Sequence, residues 1–170
     1  MTILEIKKYP DPILKKKAEE VLEVSEEIRQ LMAEMIETLK TTAGVGLAAP
    51  QVGESKRIII VQTEKGLEPF INPKILEKSR EIEKGEEGCL SFPTVGRLKI
   101  RRAKRIEVEA INKEKEKIKI KAEGLMARIF QHEIDHLDGI SFIQRASLFE
   151  RLKARKALKS LEKQWRLSKN

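Results

Sequence analysis

The segment Gln131-His132-Glu133-Ile134-Asp135-His136-Leu137-Asp138-Gly139 holds both histidines of this 170-residue chain. They stand four residues apart with a glutamate beside the first. On an α-helix, positions i and i+4 share a face and are separated by about 6 Å along the axis. His132 and His136 can therefore reach one metal ion, with Glu133 on the flank where a proton can be handled. Leu125 and Ile129 continue the helical spacing upstream, and Gly139 is a natural C-terminal cap. A catalytic ion of this kind takes three protein ligands and keeps a position open. The rest of the chain has to supply the third.

Upstream, residues 1–24 read as an irregular lead-in, with Tyr9-Pro10-Asp11-Pro12 prone to turn. Ser25 is a good N-cap, and Ile28, Leu31, Met32, Met35, Ile36 and Leu39 then recur as one apolar helical stripe. Ile58–Val61 reads as a buried strand. Phe70–Ile75 reads as a second, its proline pointing to an edge or a bulge, and a short candidate surrounds Ile82. Ile106, Val108 and Ala110, then Ile118, Ile120 and Ala122, alternate with charged residues and predict a hairpin turning at Asn112-Lys113-Glu114. A last helix at about 147–167, with Lys169 just beyond it, sets eight basic residues against Glu150 and Glu162. The expected fold is α+β: mixed or antiparallel sheets around the central metal-binding helix, with an N-terminal and a C-terminal helix, in a single domain spanning 1–170.

Composition narrows the function. The net charge of +8 favours an anionic partner such as RNA or a membrane surface, and most of it lies in that last helix, which points to a nucleic-acid contact. No apolar run approaches the roughly 18 residues of a membrane span and no signal segment opens the chain, so a cytoplasmic location and no membrane partner are expected. One cysteine, Cys89, leaves a free thiol to explain.

Three candidates compete for the third ligand. A histidine at the spacing used by one metalloprotease class falls at position 142, which is Phe142, and that class is excluded. Glu150 and Glu162 lie on the basic last helix. Cys89 remains, a soft thiolate ligand set between glycine and apolar residues. Two near-uncharged stretches stand out in a chain this rich in charge. Gly44-Val45-Gly46-Leu47-Ala48-Ala49-Pro50-Gln51 reads as a backbone segment lying against a ligand or as a tight buried connection, and Glu87-Gly88-Cys89-Leu90-Ser91 carries the thiol.

These two stretches and the histidine segment, in this order and at these separations, resemble the three signature motifs of the peptide deformylases. The Tyr-Pro-Asp-Pro opening, the Ile-Asn-Pro-Lys stretch and the hairpin resemble the family as well, up to about residue 145. The resemblance implies a metal-dependent hydrolase that removes the N-formyl group from formylmethionine at the start of nascent chains. It implies Cys89, His132 and His136 as ligands of one divalent ion, commonly Fe²⁺, with Ni²⁺, Co²⁺ or Zn²⁺ as replacements. Glu133 would carry the proton from water to the leaving amine, and Gln51 with the Leu90 N–H would face the developing oxyanion.

Substrate backbone would pair with Gly44, Val45 and Gly46 and with Gly88, and the methionine side chain would enter a pocket including Leu125 and Ile129. Arg97 is a further, weaker candidate for a substrate contact. Asp135 resembles a position that pairs with an arginine, here Arg102, to support the metal helix. The basic last helix resembles an element by which some members dock on the ribosome. A general two-histidine metallopeptidase and a basic RNA-binding protein with a structural ion are the rival readings. The second leaves Glu133 and Gln51 without a role.

Overall fold

The computed structural model describes residues 2–169. Its centre is the helix that carries the histidines, α2 (Gly124–Leu137), buried at every residue from Ala127 to Leu137. A helix buried all round needs layers on several sides. Two antiparallel sheets supply them.

The larger sheet runs β1 (Gly46–Ala48), β2 (Ile58–Thr63), β3 (Gly66–Lys78), β6 (Arg105–Ile111) and β7 (Lys117–Glu123), in the order β1-β2-β3-β6-β7. The smaller pairs β4 (Ile82–Glu87) with β5 (Leu98–Ala103). The unbroken apolar run of β2 follows from its position, because both of its faces are covered. Ile59 and Val61 join the core beneath α2 with Phe70, Val108, Ala122, Phe130 and Leu137. Ile58 and Ile60 face the other way, onto Met32, Met35 and Leu39 of α1 (Glu26–Lys40). Each such fully buried side chain contributes about 1.5–3 kcal/mol. The hairpin of β6 and β7 shows the expected alternation, with Val108 opposite Ile120 and Glu107 opposite Lys121.

β3 differs in part from expectation. It extends well beyond Phe70–Ile75 and lies inside the sheet, between β2 and β6. The irregularity announced by its prolines is present as register shifts between Ile71 and Lys74 and between Ile75 and Glu77. Asn72, at φ 50°, turns its amide onto the backbone of Val21, with bonds of 2.8 and 2.9 Å that tie the lead-in segment down. β5 was not legible as a strand. Its apolar positions, Leu98 and Ile100, alternate with basic ones, and the charged Arg102 is buried.

α2 ends as expected at Gly139, which sits at φ 70° while Ile140 N–H reaches back to the Asp135 carbonyl. A Cβ at 139 would lie 2.5 Å from the Lys15 carbonyl oxygen, so the chain needs glycine here twice over. A short helix α3 (Phe142–Arg145) leads into α4 (Leu148–Ser168), capped by Ser147. Ala154 and Leu158 pack α4 against Leu98, Ile100 and Phe142, and its two glutamates add polar ties. Glu150 accepts from the Lys99 N–H at 3.1 Å, and Glu162 accepts from the Tyr9 hydroxyl at 2.6 Å. The basic face is thereby left outward.

Candidate metal centre

One turn of α2 places His132 and His136 with their ring centroids 5.0 Å apart. The loop after β4 brings Cys89 to them, its Sγ 3.2 Å from His136 Nε2. One donor atom from each of the three residues lies within 4.8 Å of the other two. Ligand atoms on one four-coordinate ion sit about 3.3–3.8 Å apart, so this set closes on an ion with small adjustments. A thiolate with two imidazoles is a borderline-soft set suited to Fe²⁺, Co²⁺, Ni²⁺ or Zn²⁺ rather than to Mg²⁺ or Ca²⁺. The third ligand predicted from sequence is therefore brought to the histidines.

Glu133 is buried beside them, and its Oε2 has no hydrogen-bond partner among the described residues. Burial pushes its carboxyl up to about 7, against the pull of the neighbouring His132 charge. An acid of that strength both takes and returns a proton near neutrality. The unpartnered oxygen is costly to bury unless water or a reacting group meets it. Its neighbour is Gly46 of β1: a Cβ there would lie 2.4 Å from Glu133 Oε1. β1 packs so closely only because that position has no side chain.

Gln51 is held in the turn after β1 (Ala49–Val52). Its Oε1 accepts from the Ala48 N–H at 2.8 Å, which fixes the amide so that Nε2 points at Cys89 Sγ (3.4 Å) and Ser91 Oγ (3.3 Å). Leu90 stands in the tight turn that Phe92 N–H closes onto the Cys89 carbonyl at 2.9 Å. Gly44, Val45, Gly46, Gly88, Leu125 and Ile129 all line one cavity of about 550 Å³ with Cys89, His132 and Glu133 at its floor; Arg97 lines it too. β1 is an edge strand on this side. Val45 carbonyl accepts from Gln62 N–H of β2, so by strand alternation the N–H and C=O of Gly46 face away from β2, towards the cavity.

The support of the helix is richer than the sequence suggested. Arg102 does pair with Asp135, but it also forks onto Glu87, at 2.9 and 3.0 Å. Asp135 takes two further bonds from Arg145, at 2.7 and 3.0 Å. Glu87 Oε2 lies 2.9 Å from His132 Nδ1, which turns Nε2 of that ring towards Cys89 and His136. Burial alone would raise the Glu87 carboxyl, but hydrogen bonds from His132 and Arg102 outweigh it and hold it at about 2. Burial works against charge on both imidazoles. Bonds to Cys89 and Glu87 hold His132 above the usual range, while burial and the positive His132 push His136 well below it. Gln131 bridges α2 to β5, donating to the Ala103 carbonyl at 2.9 Å and accepting from its N–H at 3.2 Å. Glu87, Arg128, Gln131 and Arg145 were given no role from sequence, although Glu87 and Gln131 stand inside two of the signature stretches.

Fold and site together define an α+β protein in which a cysteine and two histidines that could hold a metal ion lie beside a buried carboxylate, in a cleft bordered by a free strand edge. A sequence model of the polypeptide deformylase family matches residues 3–152. The peptide deformylase of Thermodesulfovibrio yellowstonii is 46% identical over 165 residues, covering 94% of this chain and 99% of that relative. That of Dictyoglomus turgidum is 51% identical over 144 residues, covering 85% and 93%. Among solved structures, the peptide deformylase of Plasmodium falciparum superposes with a TM-score of 0.92 at 35% identity, covering 98% of this chain and 99% of the other. That of Thermotoga maritima gives 0.83 at 44%, covering 86% and 99%. The chain belongs to the polypeptide deformylase family.

Proposed function

We propose that this chain works as a peptide deformylase through the roles assigned below. The reaction is hydrolysis of the formyl amide at the N-terminus of newly made polypeptides, and the family is metal-dependent. One observation carries the assignment of roles: three converging donor atoms lie beside an unpartnered buried carboxylate oxygen, and Cys89, His132 and Glu133 among these residues line a cavity whose wall is a free strand edge. Cys89, His132 and His136 hold the ion, which we infer to be Fe²⁺, with Ni²⁺, Co²⁺ or Zn²⁺ as substitutes. When bound, it supplies Lewis acidity, activating water and polarising the formyl carbonyl.

The chain's own groups do the rest. Substrate backbone adds to β1 by pairing with Gly46, flanked by Gly44, Val45 and Gly88. The methionine side chain lies against Leu125 and Ile129. Glu133 takes a proton from water as its oxygen adds to the formyl carbon. Gln51 Nε2 and the Leu90 N–H meet the negative charge that grows on the carbonyl oxygen. Glu133 then gives the proton to the departing nitrogen, the C–N bond breaks, and formate and a free amino terminus result. Arg102 and Asp135 hold the helix in register throughout.

The test is release of formate from formyl-Met peptides by the Ni²⁺- or Co²⁺-loaded protein, with acetyl-Met and unblocked peptides as controls. Chelation should abolish turnover and added ion restore it. Internal cleavage of unblocked peptides would mark a general metallopeptidase instead.

The catalytic body and α4 are read as one unit, with the basic helix at about 147–167 as its accessory surface. The family match ends at residue 152, inside α4. Leu148, Phe149 and Leu152 are exposed at its start, beside its outward lysines and arginines. We infer docking on the ribosome, with the substrate's nascent chain as the reason for it. Charge reversal at Lys156, Lys159 and Lys163 should abolish salt-sensitive cosedimentation with ribosomes and leave hydrolysis of short peptides unchanged. Unaltered cosedimentation would count against it. Among the described residues no helix is long and apolar enough to cross a membrane, and the proposed location is the cytoplasm.

A further inference from the structure

Arg128 is charged, buried and outside the roles given above. It stands one helical turn before His132, on the same face of α2. Its guanidinium makes three hydrogen bonds. NH1 donates to Glu87 Oε1 at 2.9 Å and to the Ile100 carbonyl at 3.0 Å, and NH2 donates to the Glu83 carbonyl at 2.9 Å. One side chain therefore grips both strands of the smaller sheet and the carboxylate that orients His132.

The sheet is shaped to admit it. Gly85 pairs with Ile100 across β4 and β5, directly under the guanidinium. A Cβ at position 85 would stand 2.8 Å from Arg128 Cζ and NH2 and 2.9 Å from Nε. Gly85 has no positive φ to explain it, so close approach is the reason for glycine. The end of an arginine can usually swing aside, but here moving it breaks three hydrogen bonds.

Glu87 shows what would be lost. Its two oxygens receive four donors: Arg102 Nε and Arg128 NH1 on Oε1, Arg102 NH2 and His132 Nδ1 on Oε2. A carboxylate has about four lone-pair sites, so it is saturated and cannot rotate. Without Arg128, Oε1 keeps only the Arg102 bond, so the carboxylate is held by three donors instead of four, and its bond to His132 is less firmly fixed beside the cavity that Arg128 also lines.

We propose that Arg128 is a positioning residue for the metal ligand His132: seated in the notch left by Gly85, it locks the Glu87 carboxylate that orients the imidazole. The inference rests on Cys89, His132 and His136 being the ligands.

The test is a double-mutant cycle between Arg128→Met and Gly85→Ala, with Arg128→Lys as the conservative variant. It reads Zn²⁺ affinity by chelator competition and the absorption of the Co²⁺-loaded protein. Loss of a group that orients a metal ligand costs 10–100-fold in affinity, and one step further out about tenfold is expected for Arg128→Met. Arg128→Lys keeps the charge and one donor, and should fall between. Gly85→Ala should weaken Zn²⁺ binding and shift the Co²⁺ spectrum in the Arg128 background. In Arg128→Met it should cost little further, because the Cζ and Nη2 positions its methyl group would meet are vacated and the flexible methionine end can shift. An equal cost of Gly85→Ala in both backgrounds, or unchanged Zn²⁺ affinity with only a lower melting temperature, would overturn the proposal. Failure of the unmutated chain to take up Zn²⁺ or Co²⁺ would overturn the ligand assignment itself, a distinguishable result.

Discussion

Replacing Glu133 by alanine is expected to leave metal uptake intact and to lower formate release by about 10²-fold or more. In the proposed mechanism this carboxylate carries the proton both ways, so water activation and amine departure both depend on it. It is not one of the three converging ligands, so the ion should stay, as elemental analysis of the purified variant would show. The fold should also stay, because the side chain buries an oxygen with no partner, and removing it relieves a cost. That cost has a pH signature once the ion is stripped by a chelator. The carboxyl is raised from 4.5 to about 7 in the folded chain. Between those values the unfolded chain has lost the proton and the folded one retains it, so stability falls as pH rises through the window, by up to about 3 kcal/mol. The alanine variant should lack this slope. Gly46→Ala gives a second route to the same group, pressing a methyl against Glu133 Oε1. It should cost at least about tenfold in kcat with the glutamate still present. Near-normal turnover by Glu133→Ala would remove Glu133 from the mechanism.

How far the chain could be read depends on where its charges go. The histidine helix was legible because His132, Glu133 and His136 lie within about one turn, and helical geometry puts the two histidines on one face. The β6–β7 hairpin was legible because one face is wet and the other dry. The run Ile58–Val61 was legible because burial on both faces leaves no polar interruption. What was not legible is the polar half of the core. Glu87, Arg102, Arg128 and Asp135 are all buried, yet in sequence they look like the solvated charges around them. A buried ion is tolerable only when its partner is also there, and the partners lie 15 to 41 residues apart along the chain. Such a network leaves no period for a pattern to detect. Resemblance to a family suggested the Arg102–Asp135 pair, while Arg145, Arg128 and the tie from Glu87 to His132 emerged only from geometry. β5 was missed for the same reason, since Arg102 sits where a strand pattern calls for an apolar residue.

Gln51→Leu is the second substitution with a large expected effect, about 10²–10³-fold in kcat with little change in KM. The amide is preorganised. Gln51 is 2% exposed, and its Oε1 is occupied by the Ala48 N–H. The amide therefore cannot flip, and Nε2 is held towards Cys89 and Ser91 before substrate arrives. A donor fixed in advance gains most when charge develops on the carbonyl oxygen, which is why the loss belongs in kcat. Leucine keeps the volume and removes both polar atoms, leaving the Ala48 N–H unpaired at about 1–3 kcal/mol in stability. Gln51→Asn separates the effects. The shorter amide retains the chemistry but withdraws Nε2 by about one bond length, so kcat should again fall while the metal content holds. Single-turnover rates on a formyl-Met peptide, measured with metal content and melting temperature for each variant, decide the matter. An unchanged kcat with a raised KM would make Gln51 a ground-state binding group, and the oxyanion would then rest on the Leu90 N–H and the ion alone.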